Sequence, residues 1–256
     1  MSAAAARAIA SRACVPASKT ALLIHGAGGG GWEYDMWKSV FHDAHGWSTI
    51  AHDLEPSPSG LAATTLSDYV AQVVRWPESS KPAGRSTTDA GLVLVGASMG
   101  GAIALHAASA LSPLPSALVL INPVVPQPWA QPTRQGSRPL PDVLRWAGSS
   151  LESTASSLYD STPEVQRWAC ERWRDESGAV MRELYSGYAA RRPSCPTLFV
   201  VSLDDQDVPS DQQLEWAAAW EASTLTYPGM SHVGPLLGTA ASDVARAVAE
   251  WVETTI

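Results

Sequence analysis

Six short apolar runs, each separated from the next by a longer stretch, constrain the fold of this 256-residue chain more than any other feature. The runs occupy residues 21–24, 48–52, 91–95, 117–121, 197–202 and 223–227. Their apolarity is continuous rather than alternating, which is typical of strands that are covered on both faces of a parallel sheet. Parallel neighbours need crossover helices, so the sequence predicts an α/β fold with a mostly parallel, doubly wound sheet.

The connection between the fourth and fifth runs is too long for a simple crossover. We interpret residues 124–192 as a lid inserted after the strand that ends near Ile121. The segment begins rich in proline, and its later part predicts helices over residues 141–159 and 163–192. We expect most of its aromatic residues to pack the lid onto the body and a minority to line a pocket.

Composition sets the other boundaries. Residues 1–18 are rich in Ala, Ser and Arg and predict an N-terminal tail, whereas residues 19–256 predict a single domain. We expect a cytoplasmic location, with an organelle as the alternative if the tail is a transit peptide. Residues 77–89 are rich in Ser, Thr, Lys, Pro and Gly and predict a solvated loop. The sequence does not determine the oligomeric state.

Charge and cysteine content exclude several classes of protein. A net charge of −8 argues against nucleic acid or an anionic membrane as the main partner, because either would need a basic patch. No apolar run approaches the ~20 residues of a membrane-spanning helix. The three cysteines are widely spaced and form no CxxC, so we expect neither a disulfide framework nor a zinc site.

The strongest local motif is GASMG at residues 96–100, which directly follows the third run and precedes a helix-like stretch. A sharp turn from strand to helix forces the serine backbone into a strained conformation, and only small residues such as Gly96 and Gly100 permit it. The turn presents the Ser98 hydroxyl above the sheet. The Met99 N–H points the same way and can donate to an oxyanion. Ser98 is therefore the candidate nucleophile.

A serine hydroxyl needs a base to take its proton, and six histidines are available. His232 lies between the last predicted strand and the last predicted helix, which places it at the same edge of the sheet as Ser98. The remaining histidines have expected structural or surface positions: His25 beside a glycine-rich turn, His52 at a strand end, His106 in the helix after Ser98, and His42 and His45 in an HxxH pair with no evident third metal ligand. His232 is the candidate general base.

The base needs an acid to fix its tautomer and orientation. Asp204, Asp205 and Asp207 all follow the fifth run. The spacing from the strand end and from the Val-Pro pair at residues 208–209 favours Asp205, and the other two are expected to be turn formers or solvated charges. The nucleophile, acid and base then follow one another in the order typical of one class of α/β enzymes.

These motifs resemble the α/β-hydrolase superfamily from about residue 19 to the C-terminus. The segment HGAGGGGW at residues 25–32 resembles the HGAxxGAW pattern of the plant-type esterase and hydroxynitrile lyase branch. The resemblance implies the α/β-hydrolase fold and a second oxyanion N–H from Ala27. The Asp205 segment matches the pattern Gly-x-x-Asp-x-x-Val-Pro of this branch, with Ser202 in place of the glycine.

Two departures from the lyases bear on the activity. Gly26 stands where the lyases tend to have threonine, and Val233 stands where they have the lysine that stabilises departing cyanide. The resemblance therefore implies a serine esterase rather than a lyase, and it implies no metal and no organic cofactor. We expect a carboxylic ester, thioester or lactone of a small, largely apolar molecule as substrate. Expected substrate contacts are Gly28, Trp32, Trp129, Trp146 and Val233.

Alternatives stay open at this point. Some members of the superfamily keep the triad and act as small-molecule receptors with slow or no turnover, and hydroxynitrile lyase and cofactor-free haloperoxidase activities are further options. Residues 26–31 also satisfy the dinucleotide pattern GxGxxG, with Asp53 where a ribose-binding acid would lie. Against that interpretation, the turn is followed by Trp-Glu-Tyr-Asp rather than by the apolar start of a helix.

Overall fold

The computed structural model describes residues 19–79, 91–130 and 140–256. Its strands are β1 (Thr20–Ile24), β2 (Ser48–Ile50), β3 (Leu92–Ala97), β4 (Ala117–Ile121), β5 (Val143–Leu144), β6 (Glu176–Ser177), β7 (Thr197–Ser202) and β8 (Ser223–Tyr227). One sheet has the order β2-β1-β3-β4-β7-β8, and all its neighbouring pairs are parallel. The predicted doubly wound α/β fold is confirmed. All six apolar runs form strands, although β2 ends two residues earlier than expected and β3 continues two residues further.

Helices cover both faces of this sheet. The α-helices of the described residues are α1 (Asp35–His45), α2 (Leu66–Ser79), α3 (Met99–Ala110), α4 (Leu151–Ser157), α5 (Pro163–Cys170), α6 (Gly178–Tyr185), α7 (Ser210–Ala219), α8 (Gly234–Leu237) and α9 (Ala241–Thr255). Within the described ranges, none of them is both long and apolar enough to cross a membrane.

The core consists of two apolar layers, one on each face of the sheet. Alternate residues of β1 point to opposite faces, as the period of a strand requires. Leu22 and Ile24 join the layer formed with α2, α3 and α7, while Ala21 and Leu23 join the layer formed with α1 and α9. The central strands are buried along their whole length, which explains why their sequences are continuously apolar.

The segment between β4 and β7, which we call the insertion (residues 124–192), differs from the expected pair of long helices. It contains the short helices α4, α5 and α6 and an antiparallel pair of β5 with β6. The predicted helix over residues 141–159 is wrong because β5 pairs with β6 and because Gly148 adopts a left-handed φ of 75°. Each short helix is capped by a side-chain hydroxyl that accepts a backbone N–H of the first turn. The capping residues are Ser150, Thr162 and Ser177.

Two further expectations concern segments near the described boundaries. The predicted loop over residues 77–89 is wrong at its start, because α2 continues to Ser79 with Pro77 in its last turn. Pro77 has no N–H to donate to the carbonyl four residues earlier, so this turn of α2 lacks one intrahelical hydrogen bond. The remainder of that loop and the N-terminal tail, residues 1–18, lie outside the described residues.

Close backbone packing fixes where α3 begins relative to β1 and β3. A Cβ atom at Gly100 would overlap the carbonyl oxygens of Ile24 and His25, and one at Gly96 would overlap the carbonyl oxygen of Gly100. Both positions therefore need glycine for space rather than for flexibility. The first turn of α3 lies directly against the end of β1 as a result.

We expect Gly100→Ala to lower the free energy of unfolding by about 3 kcal/mol or more, because the new methyl group overlaps main-chain atoms that cannot rotate away. Gly46→Ala is the control. Gly46 has a φ of 66° with no atom within 4 Å of an added Cβ, so only left-handed strain of about 1 kcal/mol applies. Urea denaturation followed by tryptophan fluorescence measures both values, and equal losses would contradict the steric argument.

Candidate active site

Ser98 occupies the turn between β3 and α3 in a strained backbone conformation. Its φ is 53° and its ψ is −119°, a region that non-glycine residues rarely adopt. The strain is held by main-chain hydrogen bonds: Ser98 N–H donates to Ile121 O at 2.9 Å, and Ser98 O accepts from Gly101 N at 3.0 Å. The surrounding main chain therefore determines the position of the serine.

Ser98 and His232 line one cavity of about 410 Å³ between the carboxyl edge of the sheet and the insertion. Ala27, Glu33 and Val233 also contribute to its wall from the body of the protein. The insertion supplies most of the apolar lining, including Leu140, Leu144, Trp146, Trp173, Met181 and Tyr185. The volume suits a small organic molecule.

His232 is paired with Asp205. Its Nδ1–H donates to Asp205 Oδ2 at 2.7 Å, and the Asp205 side chain is 0% exposed. Burial lowers the pKa of His232, but the charge and the hydrogen bond of Asp205 outweigh burial, so the pKa lies above the ordinary histidine value. The pair therefore stabilises the imidazolium form of His232.

The three candidate aspartates have different contacts. Asp205 Oδ1 accepts the backbone N–H groups of Asp207 and Val208 at 2.8 and 2.9 Å, which orients Oδ2 toward His232. Asp204 instead accepts the Gly229 N–H at 2.6 Å, as a turn former does. Asp207 is exposed at the edge of the cavity.

A metal ion has one candidate location within the described ranges. Ligand atoms of Asp205, Asp207 and His232 lie within 4.8 Å of one another. Both oxygens of Asp205 already accept hydrogen bonds, so a cation would have to displace the pairing with His232.

Asn122 is a residue that the sequence analysis missed. It follows β4 with a φ of 41°, and its Nδ2 donates to the His232 carbonyl oxygen at 2.8 Å and to Ser202 Oγ at 2.9 Å. Its Oδ1 accepts the Ser202 N–H at 2.8 Å. Ser202, the departure from the family pattern, is thus part of the hydrogen bonding that positions the His232 loop.

Asp160 was missed as well. It lies between α4 and α5, and its carboxylate accepts the Ser231 hydroxyl at 2.5 Å and the Ser231 N–H at 3.3 Å. Tyr159 beside it donates to the Asp204 carbonyl oxygen at 3.2 Å. The insertion is therefore hydrogen-bonded to the loops that carry both the acid and the base.

The glycine-rich loop is bonded to the insertion on its other side. Gly28 N–H donates to Glu176 Oε2 at 3.1 Å, and Gly28 O accepts the Arg174 N–H at 2.7 Å. Glu176 is itself buried and accepts the Tyr69 hydroxyl at 2.7 Å. Trp146 packs against Gly28 so closely that a Cβ there would overlap its ring. These contacts fix the loop that contains Ala27.

His25 has a structural role. Its Nδ1–H donates to Gly26 O at 2.8 Å, and its Nε2 accepts the Leu54 N–H at 2.8 Å. Burial lowers its pKa to about 4, so the ring is neutral at ordinary pH. Both ring nitrogens are engaged, which leaves none for proton transfer.

Asp53 does not face an open ribose site. Its Oδ1 accepts the Gly31 N–H at 2.8 Å, and its Oδ2 lies 3.0 Å from Arg174 Nη1. The glycine-rich loop leads into a short 3-10 turn, Gly31–Tyr34, and not directly into an α-helix. These contacts account for both features that suggested a dinucleotide site.

The five predicted substrate contacts fall into three groups. Trp146 and Val233 line the cavity. Trp129 stacks on Trp216 with ring centres 6.0 Å apart, and Trp32 packs against Trp173 at 5.2 Å. Gly28 borders a smaller cavity behind the loop. Trp173, which contacts Trp32, lines the cavity and is not among the predicted substrate contacts.

Known structures with the same architecture cover almost the whole chain. Tomato methylketone synthase I, solved with 2-tridecanone, gives a TM-score of 0.72 at 16% identity over 93% of this chain and 99% of that one. A pyrethroid hydrolase from Sphingobium faniae gives 0.69 at 19% identity over 92% and 98%. A methylesterase from Arabidopsis gives 0.67 at 17% identity over 91% and 98%. At these identities the likeness shows the fold.

No curated protein sequence matches this chain. The family model described as "Alpha/beta hydrolase family" matches residues 21–250, which include β1, the Ser98 turn, the Asp205 loop and the His232 loop. With the match extending over nearly the whole chain, this protein belongs to the alpha/beta hydrolase family.

Proposed function

We propose that this protein is a serine hydrolase that cleaves a carboxylic ester, thioester or lactone of a small, largely apolar molecule. The observation that carries the proposal is the 2.7 Å hydrogen bond between His232 and the buried Asp205, beside a cavity whose wall also contains Ser98. Family membership supports a hydrolytic reaction. The strained turn at Ser98 supports its role as the nucleophile.

In the first step, Ser98 Oγ attacks the carbonyl carbon while His232 Nε2 takes the hydroxyl proton. Asp205 holds the opposite nitrogen, Nδ1, so that the proton-accepting tautomer faces the nucleophile. The tetrahedral intermediate expels the alcohol, which takes the proton from His232. Water then attacks the acyl-enzyme with His232 again as base, and free Ser98 and a carboxylic acid result.

The developing oxyanion is stabilised by the N–H groups of Ala27 and Met99. Met99 is the first residue of α3, and N–H groups in the first turn of a helix have no intrahelical acceptor. Ala27 lines the cavity and is followed by Gly28. Both the N–H and the carbonyl oxygen of Gly28 are hydrogen-bonded to the insertion. A donor fixed in this way needs no reorganisation during the reaction.

The insertion acts as the lid that selects the substrate. Its contribution to the cavity is largely apolar, with Trp146, Trp173 and Met181 among the lining residues. An apolar acyl or alcohol group gains free energy by leaving water for such a wall. A protein of the same fold, tomato methylketone synthase I, was solved with 2-tridecanone, which is a largely apolar ligand.

We expect Ser98→Ala to lower kcat for p-nitrophenyl esters by about 10⁴-fold or more and to abolish labelling by a fluorophosphonate. Ser157→Ala, which changes a serine in the same cavity wall, retains most of the turnover. Peptide mapping of the labelled protein identifies the modified residue. Wild-type turnover by purified Ser98→Ala would refute the nucleophile assignment.

We expect Asp205→Asn to reduce kcat by about 10⁴-fold, because the imidazole loses its orienting and charge-stabilising partner. In the wild type His232 must be neutral to act, so kcat/KM falls as pH drops through its raised pKa, above the ordinary histidine range. In Asp205→Asn the charge that raises the pKa of His232 is gone, so the residual activity declines at a lower pH than the wild-type activity does. Asp204→Asn is the control, since its amide oxygen can still accept the Gly229 N–H and both properties stay near wild type.

A comparison of two tryptophans tests the assignment of the cavity. We expect Trp146→Ala to lower kcat/KM for esters with bulky apolar groups by at least about tenfold, because it removes part of the cavity wall. Trp129→Ala instead lowers the free energy of unfolding by about 3 kcal/mol while KM is unchanged, because Trp129 packs on Trp216 and Trp220. A change of substrate preference in Trp129→Ala alone would contradict this placement.

A further inference from the structure

Glu33 is a buried acid that the proposed mechanism does not use. It lies in the 3-10 turn that follows the glycine-rich loop, its residue is 3% exposed, and it lines the same cavity as Ser98 and His232. Within the part of the chain that the structure describes, Glu33 Oε2 has no hydrogen-bond partner. A buried polar atom without a partner costs free energy, so stability alone does not explain a glutamate at this position.

The glycine-rich loop is shaped around this carboxyl group. A Cβ atom at Gly29 would overlap the Glu33 carboxyl, so the absence of a side chain at Gly29 makes room for it. Gly26 connects the carboxyl to the nucleophile. The Gly26 backbone hydrogen-bonds to Glu33, while a Cβ at Gly26 would lie 3.3 Å from Ser98 Cβ and 3.9 Å from Ser98 Oγ. Glu33 and Ser98 are therefore both neighbours of Gly26 and both line the same cavity.

Burial raises the pKa of Glu33 to about 8. The backbone of Gly26 and Gly30 and the charge of His232 act in the opposite direction, and the charge of Asp53 adds to the rise. At neutral pH the carboxyl is therefore mostly protonated. A carboxylic acid kept neutral by an apolar site carries an O–H that can donate a hydrogen bond.

We propose that Glu33 is a substrate-contacting residue whose carboxyl O–H donates a hydrogen bond to an acceptor oxygen of the substrate beside the scissile carbonyl. This inference rests on the proposed function. It narrows the substrate class to esters that carry an ether, keto or hydroxyl oxygen separated from the ester group by one or two carbon atoms. The apolar insertion then contacts the remainder of the molecule.

The same geometry gives the reaction an upper pH limit. Once Glu33 ionises, it loses the donor and places a negative charge beside the position where the oxyanion forms. The titratable groups that act on it are His232 from the loop after β8, Asp53 from the loop after β2, and Tyr34 next to it in the 3-10 turn. The active state has both His232 and Glu33 neutral, so activity rises as His232 deprotonates and falls as Glu33 deprotonates.

Two pairs of esters that differ only in an oxygen for a methylene test the contact. The first pair is p-nitrophenyl methoxyacetate and p-nitrophenyl butyrate, and the second is 2-methoxyethyl acetate and butyl acetate. Each kcat/KM is divided by the rate constant for alkaline hydrolysis of the same ester, which corrects for intrinsic reactivity. We expect the wild type to favour the oxygen-containing member of at least one pair by about fivefold to tenfold. Glu33→Leu loses the preference, and Glu33→Gln keeps part of it because the amide N–H still donates.

The second measurement does not depend on a substrate. The rate constant for labelling of Ser98 by a fluorophosphonate is followed from pH 5 to pH 10 in the wild type, in Glu33→Gln and in the control Glu152→Gln, whose side chain is exposed. We expect a bell-shaped profile that falls above about pH 8 for the wild type and the control, whereas Glu33→Gln keeps its rate at high pH. A glutamate that only supports the loop and does not ionise next to the site would leave this profile unchanged.

The outcomes separate the two proposals. If Ser98 is labelled and esters are cleaved, but Glu33→Leu keeps the ester preference or Glu33→Gln keeps the alkaline decline, the role of Glu33 is refuted and the serine hydrolase stands. If the wild type neither cleaves the esters nor labels at Ser98, the proposed function fails and the substrate contact fails with it.

Discussion

The close approach of α3 to β1 is the constraint on which the arrangement of the site depends. Gly96 and Gly100 let main-chain atoms pack against one another, and the turn between them forces Ser98 into its strained conformation. Packing of rigid backbone, rather than any single side-chain contact, supplies the free energy that holds this strain. The oxygen of Ser98 is therefore placed by the core of the fold, and the other groups are arranged around it.

The loops that meet Ser98 are held mainly by long-range hydrogen bonds. Asn122 joins the end of β4 to β7 and to the His232 loop, and Asp160 joins the insertion to Ser231 beside that histidine. These polar groups are satisfied and partly or fully buried, a setting in which hydrogen bonds specify one arrangement. The loop that contains His232 is thus held by residues far from it in sequence, whereas the Asp205 carboxylate is oriented by the N–H groups of residues 207 and 208.

The strands of the sheet and the chain order of Ser98, Asp205 and His232 could be predicted because they follow from local patterns. Continuous apolar runs indicate buried strands, and the GASMG motif at residues 96–100 predicts a sharp turn from strand to helix. The insertion could not be predicted in the same way, since Gly148 and the pairing of β5 with β6 interrupt stretches that otherwise favour helices. Asn122 and Glu33 belong to no short motif, and only three-dimensional contacts reveal what surrounds them.

The hydrogen bonds from the insertion to Gly28 connect the residues that cover the cavity to the loop that contains Ala27. Residues 174–176 occupy both backbone groups of Gly28, one position after Ala27. If residues 174–176 move outward to admit a bulky ligand, both hydrogen bonds break and the loop that contains Ala27 is released. On the proposed function, a displacement of residues 174–176 therefore impairs the oxyanion donor at Ala27 as well as the cover of the cavity.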